Sequence, residues 1–466
     1  MKKIIGILLF VLVLLATSGC RYHDEDGIEY TLSDDETYYI LSYVGENIEE
    51  IVIPEYYDGK PVLEIGFRAF RQGKGVTQYN NSKVRNVKID AKLTRIGDSA
   101  FDGCANLETI NIPQTVTEIG TAAFSTCGSL KSIEIPAEVT HIGGGLFYEC
   151  KKLESIMLHN KITEIDRCAF YGCKSIEEII LPEGVEFIGD AAFSMMENLM
   201  EIKVSEENKN YVSIDGNLYT KDGKALIQYA PGNEAEIFTI PDGVKTISEY
   251  AFAGSSKIKS IYVPDSVSKI CSRAFYECSN LCNVNIPSGV TEISERQFEG
   301  CKSLKEVTLH NRITKIDYGA FIGCSSLERI EIPESVTEIG GYAFSECSSL
   351  KNIDLPAGLT ELPYAMFEDC ALLENVSIPN GIEKIDFNTF LGCTSLKSAY
   401  IPNSVKTISR GAFGCCTSLS DIYFNGSIDE WKDVDGILGL FGNKKDDWCY
   451  GSGNFVVCCN DGNWEK

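Results

Sequence analysis

Apolar positions in this chain recur with a long, fixed period. Phenylalanine stands at 101, 124, 147, 170 and 193, and again at 252, 275, 298, 321, 344, 367, 390 and 413; each step within a run is 23 residues. Phe70 precedes Phe101 by one period and a short insertion, and Phe193 precedes Phe252 by one period and a longer insertion, so fourteen units carry the phenylalanine. One unit places Leu107, Ile110, Ile112, Pro113, Val116, Ile119, Gly120, Ala123, Phe124 and Cys127 in fixed slots, and the same frame lies on Leu327 to Cys347 without a gap.

Each slot has a physical reading. Leu107, Ile110 and Ile112 include a period-2 pair on a β-branched segment, which predicts a strand with one face inward. Pro113 cannot donate to a ladder and ends that strand. Val116 and Ile119 turn back into the core across a loop. Ala123, Phe124 and Cys127 place apolar groups three or four apart, which predicts one turn of α- or 3₁₀-helix on the opposite side. A single unit cannot bury these groups, whereas stacked neighbours can. The expectation is an α/β repeat solenoid: a right-handed leucine-rich-repeat array of 23-residue coils with one parallel sheet face.

The repeated I-P-x-x-V-x-x-I-G-x-x-A-F-x-x-C-x-x-L frame resembles that of the BspA-like leucine-rich-repeat surface proteins of bacteria, over roughly residues 28–460. The opening Ile53-Pro54-Glu55-Tyr56-Tyr57-Asp58-Gly59-Lys60-Pro61-Val62 and the insert Tyr211 to Gly223 share the likeness. The asparagine ladder usual after the strand is absent; that slot holds Thr115, Ser335 or Gly358. The resemblance implies adhesion to host matrix proteins and to other cells.

The ends and interruptions divide the chain. Lys2 and Lys3 precede an apolar run from Ile4 to Ala16, too short for a resident membrane span but suited to a secretory signal. Thr17-Ser18-Gly19-Cys20 resembles the lipobox of bacterial lipoproteins, in which the cysteine is acylated; Thr17 departs from the usual branched aliphatic residue. A plain signal peptide with an incidental cysteine is the alternative. Residues 1–19 are thus expected to be a signal peptide and 20–26 a lipidated tether, whose acidic Asp24-Glu25-Asp26 reads as solvated or as a sorting signal. An N-terminal β-rich cap is expected over 27–50, a first array over 51–204, a β-hairpin insert over 205–237, a second array over 238–425 and a β-rich C-terminal cap over 426–466.

Charge narrows the function. The 466 residues carry a net charge of −25, which repels phosphate backbones and sets nucleic acid aside as a partner. Of nineteen cysteines, eleven stand three after a repeat phenylalanine, at 104, 127, 150, 173, 278, 301, 324, 347, 370, 393 and 416. Metal sites use short pairs such as C-x-x-C, so this ladder reads as buried free thiols acting as small apolar groups. A disulfide within the C-terminal cap, among Cys449, Cys458 and Cys459, stays open. His159 and His310 occupy the proline slot of their units, several coils apart, and His141 stands alone. No nucleophile–base pair can be assembled from these parts, and no metal, cofactor or enzymatic activity is expected.

What remains is the outward side of the strand. Met157 and Ile180 lie on adjacent strands, with Met200 taken as one coil further. Tyr400 and Tyr423 are also adjacent, near Trp431. Exposed aromatics are common anchors of recognition, and either group is a candidate contact patch unless the insert or the C-terminal cap covers it. The chain therefore reads as a protein held at a bacterial membrane by Cys20, exposed at the cell surface, and binding a host matrix protein, cell-surface protein or glycan. A structural spacer or envelope scaffold is the alternative, as is glycan capture.

Overall fold

The structure, a computed structural model, describes residues 21–23, 27–45, 48–71, 83–437 and 455–464. The expected signal segment, Cys20, residues 24–26, residues 72–82 and Cys449 lie outside the described residues. The chain divides into two compact units, Met1–Leu218 and Tyr219–Lys466.

Most described coils contribute two short strands rather than one, the first shrinking to an isolated parallel bridge at Thr308 and Glu331. In the first unit the Ile-x-Ile segment forms Ser132–Ile133, which pairs in parallel with Ser155–Ile156; Glu178–Leu181 pairs likewise with Glu201–Val204. Every partner stands one repeat period further along the chain, so the sequence period is the sheet register. The residues before the repeat glycine form a second ladder: His141–Ile142, Glu164–Ile165 and Phe187–Ile188. In the second unit the first ladder includes Asn375–Ser377, Ser398–Pro402 and Asp421–Asn425, and the second includes Glu361–Leu362, Lys384–Ile385 and Thr407–Ile408. The expected single sheet face is therefore corrected to two ladders.

The expected helical turn is also corrected. From Gly120 to Cys127 the backbone makes successive tight turns. The N–H groups of Ala123, Ser125 and Cys127 close onto the carbonyls of Gly120, Ala122 and Phe124. Those of Ala122, Phe124 and Thr126 donate instead to Gly144, Leu146 and Tyr148 of the next coil. Ala122 (φ 54°) and Thr126 (φ 56°) take the left-handed conformation at the third turn position, the type II pattern. An α-helical turn would orphan its terminal N–H groups. Alternating turns give every second N–H to the neighbouring coil, which offsets the cost of about 1–2 kcal/mol for a left-handed residue. Among the described residues the α-helix is confined to Ile428–Lys432, so the fold is a β-solenoid.

The core is a stack. Phe101, Phe124, Phe147, Phe170 and Phe193 lie ring on ring at 5.1–5.9 Å in the first unit. Phe252 to Phe413 stack at 5.1–5.7 Å in the second. All are buried, as are the eleven ladder cysteines, which are free thiols. Each buried phenylalanine contributes about 1.5–3 kcal/mol relative to exposure. In the slot of the missing asparagine ladder, hydroxyls satisfy the neighbouring coil's carbonyls: Thr115 Oγ1 donates to Leu93 O at 2.6 Å, and Ser335 Oγ to Ile313 O at 2.6 Å.

The ends depart from the period. Glu29–Leu32 and Tyr39–Tyr43 pair antiparallel around the turn at Ser33, and Tyr39–Tyr43 then joins the parallel strand Lys60–Ile65. Between Phe193 and the second unit the coil starts normally. Asn208, one period after Val185, donates its amide to Pro182 O (2.9 Å) and Val185 O (3.0 Å), and the Tyr211 hydroxyl accepts from Ile188 N. The chain then turns at Asp215-Gly216, both with φ > 0. In the second unit Leu226 pairs with Ile247, and Tyr229, one period before Phe252, stacks on it at 5.1 Å. Regular coil is thus in place before the expected insert end at 237, with tyrosine in the phenylalanine slot.

After Asn425 come the helix Ile428–Lys432, capped reciprocally by Ser427 and Glu430, and the strands Val456–Cys459 and Gly462–Trp464. Val456–Cys459 extends the first ladder in parallel beside Asp421–Asn425.

Candidate functional site: an aromatic groove on the strand face

Four parallel strands at the end of the second unit bring Ser377, Tyr400, Tyr423 and Cys458 into one outward column, because each pairs in register with the next. Alternation sends Val376, Ala399, Ile422 and Val457 inward, where all are buried. The rings of Tyr400 and Tyr423 stack on each other at 4.7 Å with 14° between their planes. They remain 49% and 37% exposed, so the described part of the C-terminal cap does not bury them. The Asp421 carboxylate, two residues back on the same strand, pushes the Tyr423 phenol up from its ordinary value.

These rings border an open groove of about 580 Å³ that runs over Pro379, Asn380, Pro402, Asn425 and Asn460. The sequence reading did not single out the asparagines. A partial signal exists for Asn425, which closes the strand Asp421–Asn425 where the preceding coil has Pro402, one period earlier.

Trp431, expected as a further exposed aromatic beside the pair, is fully buried. It packs edge-on against Phe424 (5.2 Å) and Trp464 (6.4 Å), because the helix Ile428–Lys432 turns its one buried side chain under the closing strands. It belongs to the core and presents no surface.

In the first unit Met157 (79% exposed) follows the strand Ser155–Ile156, and Ile180 (57%) stands one period later on Glu178–Leu181; these two strands are not paired with each other, which corrects the expected adjacent-strand placement. Met157 borders a second groove of about 710 Å³ that also includes Glu134 and His159. Met200 does not continue this column. Lys203 pairs with Ile180, while Met200 lies before its strand, its N–H donating to Glu177 O. His159 and His310 are equivalent, as repeat variants must be: each Nε2 lies 3.0–3.1 Å from the carbonyl of Pro136 or Pro287 in the preceding coil. His141 lies beside Glu164 and Asp166. Among the described residues no group of three or more His, Cys, Asp or Glu side chains is placed to hold a metal ion. Nor is any described helix long and apolar enough to cross a membrane.

A third feature was missed from sequence. On the turn side of the second unit, Tyr318, Tyr342 and Tyr364 pack edge to face, Arg296 lies 5.3 Å over the Tyr318 ring, and Phe387 is 56% exposed. Its signal was available, since Tyr318, Tyr364 and Phe387 each stand three before a repeat phenylalanine.

No curated protein is significantly similar in sequence. Among solved structures, the chain is similar to a leucine rich cell surface protein from Faecalibacterium prausnitzii, with 27% identity over 90% of this chain and 98% of that one and a TM-score of 0.48. It is similar to a leucine-rich repeat protein from Bacteroides ovatus (25% identity, 88% and 96% covered, TM-score 0.42). It is also similar to the pneumococcal vaccine antigen PcpA (21% identity, 89% and 95% covered, TM-score 0.47). The family model described as BspA type Leucine rich repeat region matches in six copies over residues 75–200, 231–339 and 314–434. With more than half its length matched and the same coil in every matched segment, the chain belongs to the BspA-type leucine-rich-repeat family.

Proposed function

We propose that this protein is held at a bacterial membrane by acylated Cys20 and binds a macromolecular partner at the cell surface through the outward strand face. The observation that carries the reading is the Tyr400–Tyr423 pair: two large aromatics, stacked, exposed and bordering an open groove on a rigid ladder. Ordered aromatics lose little conformational freedom on binding, which suits them to anchor a partner. The adhesive role associated with the family supports the same reading, and the exposed Met157 and Ile180 offer a secondary contact. The partner is a matrix protein, a cell-surface protein or a glycan.

The test is saturable binding of the whole chain, purified in mild detergent, to a panel of matrix proteins, mucins and glycans. It is run beside a variant carrying both Tyr400→Ser and Tyr423→Ser. Binding lost in the double variant supports the reading and locates the site. Binding that persists keeps the function and moves the site. No binding to any panel member overturns the reading and leaves a structural spacer.

A further inference from the structure

The groove beside Tyr400 has two features that narrow its occupant. The first is charge. The molecule carries a net charge of −25, yet none of the residues bordering this groove is charged. A groove meant for a cationic or anionic partner would carry the opposite sign at its rim. Neutral walls select a neutral occupant.

The second is a set of uncommitted polar groups. Elsewhere on this face asparagine is used structurally. Asn111 both donates to Ile89 O and accepts from Ile89 N, and Asn285 does the same with Val263. Asn380, Asn425 and Asn460 border the groove, and among the described residues their side chains make no such bond. Each offers two donors and an acceptor.

Geometry supplies the shape. One face of Tyr400 is covered by Tyr423, and its other face lies toward Ser377, the neighbour in the column. Serine is too small to continue the stack, so a ring-sized place stands open over Ser377 against an aromatic face. A flat, uncharged ring with an apolar face and hydroxyls at its rim fits that place. The apolar C–H face lies on Tyr400, and the hydroxyls exchange hydrogen bonds with the amides.

We propose that the groove binds a neutral glycan, with one sugar ring seated over Ser377 against Tyr400, its hydroxyls met by Asn380, and the next sugar directed along the groove toward Asn425. This rests on the reading of the chain as a surface binding protein.

The experiment titrates the whole chain with uncharged oligosaccharides (β-glucan, mannan and galactan fragments). Heparin and polygalacturonate fragments serve as charged controls, and matrix proteins are measured in parallel. At least one neutral series binds, with affinity nearly independent of salt because no charges meet. Tyr400→Ser weakens it by at least about tenfold. Ser377→Tyr, which extends the stack into the open place, abolishes it, and Val52→Ser, at an exposed strand position of the first unit, leaves it unchanged. Circular dichroism confirms that the surface variants remain folded.

If matrix proteins bind through Tyr400 while no neutral glycan does, the sugar assignment is overturned and the binding reading stands. If only the charged polymers bind, or glycan binding survives Ser377→Tyr, the assignment is likewise overturned. If nothing binds, both fall.

Discussion

The thiol of Cys347 donates to the carbonyl oxygen of Phe321, 3.2 Å away in the preceding coil. The same contact recurs from Cys324 to Phe298 (3.2 Å) and from Cys370 to Phe344 (3.1 Å). Each phenylalanine carbonyl already accepts the N–H of the cysteine in its own coil, as Phe321 does from Cys324 at 3.1 Å. The thiol of the next coil supplies a second donor where water does not reach. Cysteine fills this slot because it is apolar enough to bury and still carries a weak donor, a pairing that alanine and valine lack.

Replacing that thiol has a defined cost. Cys347→Ala removes the donor and leaves a small void, and is expected to destabilise by about 1–3 kcal/mol. The midpoint of guanidinium unfolding measures it. An unchanged midpoint would mean that the thiol is passive filler.

Alkali should unfold the protein steeply. Burial pushes the ladder thiols up, Cys150 to about 12. Because the folded pKa lies above the unfolded one, this contribution is intact below the ordinary thiol range and is lost as pH rises through the folded value. The window opens at the ordinary thiol value of 9.0 and extends to about 12 for Cys150. Each buried thiol costs about 1.4 kcal/mol per pH unit within it. Unfolding followed by circular dichroism should sharpen above the thiol pKa, and replacing several ladder cysteines with valine should flatten the curve.

Thiol reagents should distinguish two populations. At neutral pH the protonated, buried ladder thiols do not react, whereas Cys282 and Cys458, partly exposed, do. Denaturant should release the ladder thiols. Rapid labelling of Cys301 in the native protein would contradict its burial.

The left-handed turn positions should respond to side-chain shape. Ala122, at φ 54°, tolerates glycine with a gain of up to about 1 kcal/mol, whereas Ala122→Val should cost more than about 1 kcal/mol because a β-branched residue is strained there. Thermal unfolding of the two variants should move in opposite directions.

Trp431 and Tyr400 should separate stability from binding. Trp431→Ala removes a fully buried ring and is expected to cost about 3–5 kcal/mol. Tyr400→Ser should leave the stability within about 0.5 kcal/mol of wild type, since its site is exposed. Equal loss of stability in both would place Tyr400 in the structural core.

The period, the coil length, the membership of the core and the first strand were all legible along the chain. In a stacked fold every coil meets the same neighbours, so burial repeats wherever sequence repeats. Phe124, Cys127, Leu130 and Ile133 could be placed inward for that reason alone. Contacts between coils settled where the backbone N–H groups go. Apolar residues at 123, 124 and 127 fit a helical turn equally well; the carbonyls of Gly144, Leu146 and Tyr148 in the next coil select alternating turns instead. Long-range packing also put Trp431 inside and left Tyr423 outside. Trp431 is covered by Trp464, which the closing strands bring back over it, while among the described residues Tyr423 is followed in the column by the small side chain of Cys458. Local pattern cannot register a contact made by a segment that has left the repeat, and the groove forms where that segment's strand Val456–Cys459 pairs beside Asp421–Asn425.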